Sequence, residues 1–282
     1  MLRRGRRPRL ARSEAVGITA SSHGERNKGA SRLPLTLHRL VVALSAIVAV
    51  AGCSPVVRHR TEPQEQAITD RITQYGPAAR ARLAPFFAAA GIEYPPQRFA
   101  LLGFKLEREL HLFASGSGRD LTFIRSYPIQ GMSGTLGPKL RQGDGQVPEG
   151  VYTIVYLNPN SVAHLSLALS YPNDDDRARA AEDGRDTLGG DIMIHGGSMS
   201  SGCLAIGDDA AEELFVLAAE SDWKEAVVVV SPVDFRRSAL PAGYRARPAW
   251  VEDLYVRLRA ELERFPVGRA ATSNGLRMID TR

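Results

Sequence analysis

The residue types able to do covalent chemistry gather in one stretch of this 282-residue sequence, Ile192-Met-Ile-His-Gly-Gly-Ser-Met-Ser-Ser-Gly-Cys-Leu-Ala-Ile206. It holds Cys203, one of only two cysteines, and His195, eight residues before it. A thiol with a pKa near ~8.5 is mostly protonated at neutral pH, and an adjacent imidazole can draw off the proton. The apolar residues at 192–194 read as a strand that delivers His195, and a loop of glycine and serine then folds Cys203 back beside the ring. Gly196, Gly197 and Gly202 let the backbone approach a substrate closely. The amides around Gly202 and Cys203 are candidate donors to an oxyanion, and Ser200 or Ser201 can add a hydrogen bond. The competing structural interpretation is a histidine beside a glycine turn and a buried, inert cysteine.

The second cysteine has a different setting. Cys53 follows an uncharged run at 40–51, with His38 and Arg39 ahead of it. A membrane-spanning helix needs about 20 apolar residues, so this run suits the apolar region of a secretory signal instead. Val50-Ala51-Gly52-Cys53 resembles the lipobox of bacterial lipoproteins, in which the cysteine becomes the lipidated first residue of the mature chain. The alternative is a cleaved signal or short anchor in which Cys53 is incidental. Lipid on Cys53 implies a membrane attachment on the periplasmic face, and Ser54 behind it points to the outer membrane. It also leaves Cys203 without an intrachain partner in an oxidising compartment, where an unpaired thiol calls for a reason.

The net charge of +5 hints at nucleic acid, but residues 1–32 hold nine basic and two acidic side chains. With Arg39 the only charge in 33–52, residues 53–282 carry −3. A nucleic-acid partner needs a basic face on the folded body, so that class is excluded. Residues 1–32 are long for the basic part of a signal and are expected to carry no fold.

Stepping outward, 53–76 reads as a polar tether and 77–97 as a helical lead-in, with a helix at 78–90 broken or kinked at Pro85. Short strand-like runs follow at 98–105, 109–114, 121–127, 151–157, 163–170, 191–195 and 225–230. A helix from Asp208 starts with aspartate caps and spaces Leu214 and Leu217 for burial; a second, at 248–264, lines up Leu254, Leu258 and Leu262. The resulting domain spans 98–232, with a helical extension at 233–282. Asp174-Asp-Asp176 reads as a turn, lacking the spaced ligands of a calcium loop. Asp191 and His195 on one strand face, with Cys203, raise a metal site that nothing completes, so no metal and no cofactor is expected.

Ile194-His-Gly followed by Ser200-Ser-Gly-Cys203 resembles the catalytic signature of the L,D-transpeptidase (YkuD-type) family, in its murein L,D-transpeptidase-like branch. Two upstream blocks are similar as well: residues 133–152, and Leu157-Asn-Pro-Asn-Ser161 with Leu169-Ser-Tyr-Pro-Asn173. The resemblance covers 98–232 and implies an α+β fold, a mainly β catalytic domain with flanking helices. It implies that Cys203 attacks the diaminopimelate carbonyl of a peptidoglycan stem peptide and expels D-alanine. An amine of another stem, or of a wall-anchored lipoprotein, then takes the acyl group, with His195 as base and acid. Better-known members carry Ser-His-Gly-Cys; Ser201 stands here in place of that histidine. Lys139 and Arg141 are candidates to meet stem carboxylates, and His164, near Ser166, to border the substrate groove. The alternatives are a hydrolase of the same fold and, more remotely, a non-catalytic wall-binding lipoprotein.

Overall fold

A computed structural model of the chain describes residues 62–118, 120–245 and 248–267. The leader, Cys53 and the start of the tether lie outside the described residues. Four helices and eight strands follow in the order α1 (Glu62–Ala90), β1 (Arg98–Phe104), β2 (Glu109–Ser115), β3 (Thr122–Pro128), β4 (Gly150–Ser161), β5 (His164–Leu169), α2 (Asp174–Glu182), β6 (Met193–His195), β7 (Leu204–Ala205), α3 (Asp208–Glu220), β8 (Val227–Ser231) and α4 (Val251–Leu262). The strands form one mixed sheet in the order β3-β2-β1-β8-β4-β5-β6-β7. This is an α+β fold with helices at its flanks, as expected.

The sheet is buried on both faces at its β1–β2–β8 end, which explains the unbroken apolar runs there. Leu101, Leu110, Val228 and Val230 point to a core shared with Leu83 and Phe87 of α1 and with Leu214, Phe215 and Leu217 of α3. Ala100, Leu102, Phe104 and Val229 point the other way, onto Leu254, Tyr255, Leu258 and Leu262 of α4. The two leucine patterns expected in α3 and α4 therefore both meet the sheet.

Three expectations need correction. Helix α1 begins at Glu62, inside the supposed tether, and runs unbroken through Pro77 and Pro85. Each proline removes one backbone donor, but Leu83 and Phe87 are buried, and Arg82 binds Glu212 at 2.7 Å and Glu213 at 2.9 Å, tying α1 to α3. Asp174-Asp-Asp176 is the first turn of α2, not a free turn. The Asn173 side chain accepts from the Asp176 amide, and the Asp176 carboxylate accepts from the Asn173 amide, a reciprocal cap. Asp208 does not cap its own helix. Gly207 is the N-cap residue, at φ +81, and offers no side chain.

Candidate active site

The pairing of two short strands sets His195 and Cys203 on adjacent segments of the chain. β7 runs parallel to β6, with Ile194 opposite Leu204 and His195 opposite Ala205. Cys203, immediately before β7, thus stands on the strand next to His195 and two residues out of step with it, about 7 Å along the strand direction. Antiparallel β5 flanks His195 on its other side through Ser166.

His195 is 7% exposed. Its Nδ1 lies 2.7 Å from the Gly196 carbonyl oxygen. A carbonyl only accepts, so Nδ1 donates this bond and Nε2 is the ring nitrogen left to exchange a proton. The Cys203 thiol donates to the Asp191 carbonyl at 3.5 Å. Burial pushes the thiol pKa above its ordinary value of 9.0 and the Asp191 charge adds to this; the Met193 amide and the Lys139 charge act against it. Thiol and imidazole are not hydrogen-bonded to each other here; such catalytic contacts commonly tighten only when substrate binds.

The loop between them is held by three side chains, Asp208, Ser200 and Ser133. The Gly197 amide donates to Asp208 Oδ1 at 2.7 Å, the task Asp208 performs in place of capping. A Cβ on Gly196 would sit 2.5 Å from that same oxygen, so only glycine fits. The Ser200 hydroxyl donates to the Cys203 carbonyl at 2.6 Å and accepts from the Cys203 amide at 3.0 Å. The Gly202 amide, in a residue at φ +98, donates to Ser133 Oγ at 2.7 Å. Ser133 in turn donates to the Gly145 carbonyl at 2.7 Å. The two amides expected to serve an oxyanion are therefore committed to serine hydroxyls. Ser201 is exposed, and among the described residues its hydroxyl has no hydrogen-bond partner.

The other sequence-derived candidates divide. Lys139 is nearly buried, bonded to Asp144 at 2.7 Å and to the Arg141 carbonyl at 2.9 Å. It acts on Cys203 through its charge rather than standing open on a loop. His164 binds Glu212 of α3 at 3.0 Å and meets the Tyr75 ring of α1 edge-on at 4.9 Å, which places it in the helix packing rather than along a groove. Asp191 is outside β6, at φ +56, so the strand face it was to share with His195 is not formed. Among the described residues, no group of three His, Cys, Asp or Glu side chains is placed to hold a metal ion.

Sequence reasoning missed the groups that fix the 133–149 segment against this loop. Lys105 and Glu149 form a fully buried pair at 3.0 Å. Lys105 donates to the carbonyls of Gly137 and Val147 at 2.8 and 3.0 Å. Glu149 accepts from the Gly137 amide at 2.7 Å and from the Tyr255 hydroxyl at 2.8 Å. Tyr244 lies 2.7 Å beyond Tyr255. Helix α4 is thereby wired to the segment that carries Ser133 and Lys139. An isolated Lys and Glu 44 positions apart, at 105 and 149, send no local signal.

With this geometry in place, the likeness to known proteins is specific. Residues 112–230 match the YkuD family model, described as the L,D-transpeptidase catalytic domain. Those residues are similar to the YkuD type of domain. A protein of Escherichia coli (strain K12), provisionally named L,D-transpeptidase YafK, is 39% identical over 114 residues, 40% of this chain and 44% of its own. The chain thus spans less than half the length of that curated relative. Solved structures with likeness to this chain include the helical cell shape determining protein Pgp2 from Campylobacter jejuni. That match is 22% identical, covers 50% of each chain and has a TM-score of 0.40. Mycobacterium tuberculosis L,D-transpeptidase 1 is 13% identical, over 48% of this chain and 62% of its own, with a TM-score of 0.28. Among the described residues, no helix is long and apolar enough to cross a membrane.

Proposed function

We propose that the chain is a cysteine-dependent L,D-transpeptidase acting on peptidoglycan stem peptides. The observation that supports this is the β6–β7 pairing, which brings Cys203 to the start of the strand next to a His195 whose Nδ1 is fixed on Gly196, in a segment that matches the YkuD family model. His195 Nε2 takes the thiol proton, and the sulfur attacks the diaminopimelate carbonyl carbon. As the tetrahedral intermediate collapses, the C–N bond to D-alanine breaks and His195 returns the proton to the departing amine. An amine of a second stem, or of a wall-anchored lipoprotein, then attacks the thioester. His195 accepts the amine proton and hands it to the departing thiolate. Ser201, the open hydroxyl of the loop, is assigned to hydrogen-bond the substrate.

The catalytic unit in this proposal is 98–232, with 233–282 bracing it through Tyr244 and Tyr255. Export behind the 1–52 leader and lipid on Cys53 place it on the periplasmic face of a bacterial membrane.

The test incubates the full chain with tetrapeptide-stem muropeptides and follows products by mass spectrometry beside Cys203→Ala. Dimers carrying a diaminopimelate–diaminopimelate bond, absent with the variant, are expected. Loss of D-alanine without dimers would transfer the proposal to a hydrolase. Identical products from both proteins would overturn it.

A further inference from the structure

The 133–146 loop has a second side. It joins the 244–245 segment and Arg185 around a cavity of about 560 Å³ that Cys203 does not line. Three arginines line that cavity, Arg141, Arg185 and Arg245, against one acidic residue, Asp144. Asp144 is already engaged: it binds Lys139 and accepts from the amides of Leu140, Arg141 and Gln146. Arg185 is likewise held, by Asp183 at 2.9 Å and the Leu140 carbonyl at 2.7 Å. Among the described residues the guanidiniums of Arg141 and Arg245 have no such partner.

Two unpaired guanidinium forks over one cavity favour a planar anion, because each can make paired N–H···O bonds that a point charge cannot. We propose that this cavity is a subsite for a carboxylate of an acidic peptide, with Arg141 and Arg245 as its ligands and Arg185 as a fixed positive wall. The substrate class rests on the function proposed above, whose stem peptides carry free carboxylates. The cavity also touches the site mechanically. Gln146, in its lining, spans the loop by donating to the Thr135 and Gly137 carbonyls at 2.9 Å. Its own carbonyl oxygen would lie 3.2 Å from a Cβ on Gly202. An anion held by Arg141 would therefore brace the loop on which the Gly202–Cys203 turn leans.

The test uses the full chain carrying Cys203→Ala, so that binding is read without turnover. By calorimetry it is titrated with the tetrapeptide stem and with the same peptide amidated at its carboxylates. The acidic peptide is expected to bind about tenfold more tightly, the scale of a charged hydrogen bond. Arg141→Gln with Arg245→Gln is expected to erase that difference, while circular dichroism stays unchanged. Equal binding of the two peptides, no binding of either, or a preference that survives the double variant would overturn the subsite. Turnover of the same peptides by the unmodified chain reports separately on the function it rests on.

Discussion

The hydroxyl of Ser133 accepts a hydrogen bond from the Gly202 amide at 2.7 Å, joining positions 69 apart in the sequence. Because Ser133 also donates to Gly145, one hydroxyl fastens the 133–146 loop to the turn that presents Cys203. Ser133→Ala should lower kcat/KM by at least about tenfold, since small displacements of a nucleophile are costly. The melting temperature should move little, because Ser133 is only partly buried. Steady-state kinetics beside a thermal melt checks both.

The thiol of Cys203 should respond to two charges in opposite directions. Asp191 raises its pKa and Lys139 lowers it, on top of the larger upward effect of burial. Asp191→Asn should therefore move the thiol pKa down, and Lys139→Gln should move it up. The rate of iodoacetamide alkylation against pH measures this directly, since only the thiolate reacts. A shift of the same sign in both variants would contradict the assignment.

Lys105 and Glu149 should be worth less as a pair than the loss of either one alone suggests. Both side chains are completely buried. Lys105→Met leaves a buried carboxylate without its cation, an expected cost of about 3–5 kcal/mol. Adding Glu149→Gln to Lys105→Met should recover part of that loss, because no uncompensated charge remains. Urea unfolding of the two single variants and the double one, taken as a cycle, measures the coupling.

Asp176 gives the fold an acid-side signature. Burial raises its carboxyl from 3.8 to about 6, against the opposing hydrogen bond from the Asn173 amide. The folded state therefore holds a proton that the unfolded chain has released, and the stabilisation is complete below about pH 4. From this group alone, stability should fall as pH rises from about 4 to about 6, by at most about 1.4 kcal/mol per pH unit, and then level off. Asp176→Asn should remove that slope while keeping the amide-accepting cap of α2. Unfolding free energies across pH 4–7 check the sign.

What could be read along the chain was what local chemistry dictates. The apolar runs at 98–105 and 225–230 matched strands β1 and β8 to within two residues, and the leucine spacing of α3 and α4 matched buried faces. The errors came where tertiary contacts outweighed a local rule. Pro77 and Pro85 do not end α1, because α3 supplies partners along its length. Asp208 looked like a cap and instead holds Gly197. The Asn173–Asp176 cap was written in the sequence and was misread because three consecutive aspartates also suit a turn. Lys105 and Tyr255 gave no local signal, and Ser133 and Glu149 stood out only as members of the 133–152 block, since the contacts that give them their tasks join positions far apart in the chain.

The central claim is that Cys203 becomes acylated. Brief incubation of the full chain with a tetrapeptide stem, an acid quench and mass spectrometry of the proteolytic fragment holding Cys203 tests it most directly. The fragment should gain the mass of the stem less D-alanine, lose it on thioester cleavage by hydroxylamine, and stay unmodified in His195→Ala over the same interval. An unmodified Cys203 under conditions where D-alanine is released, or an adduct on another residue, would contradict it.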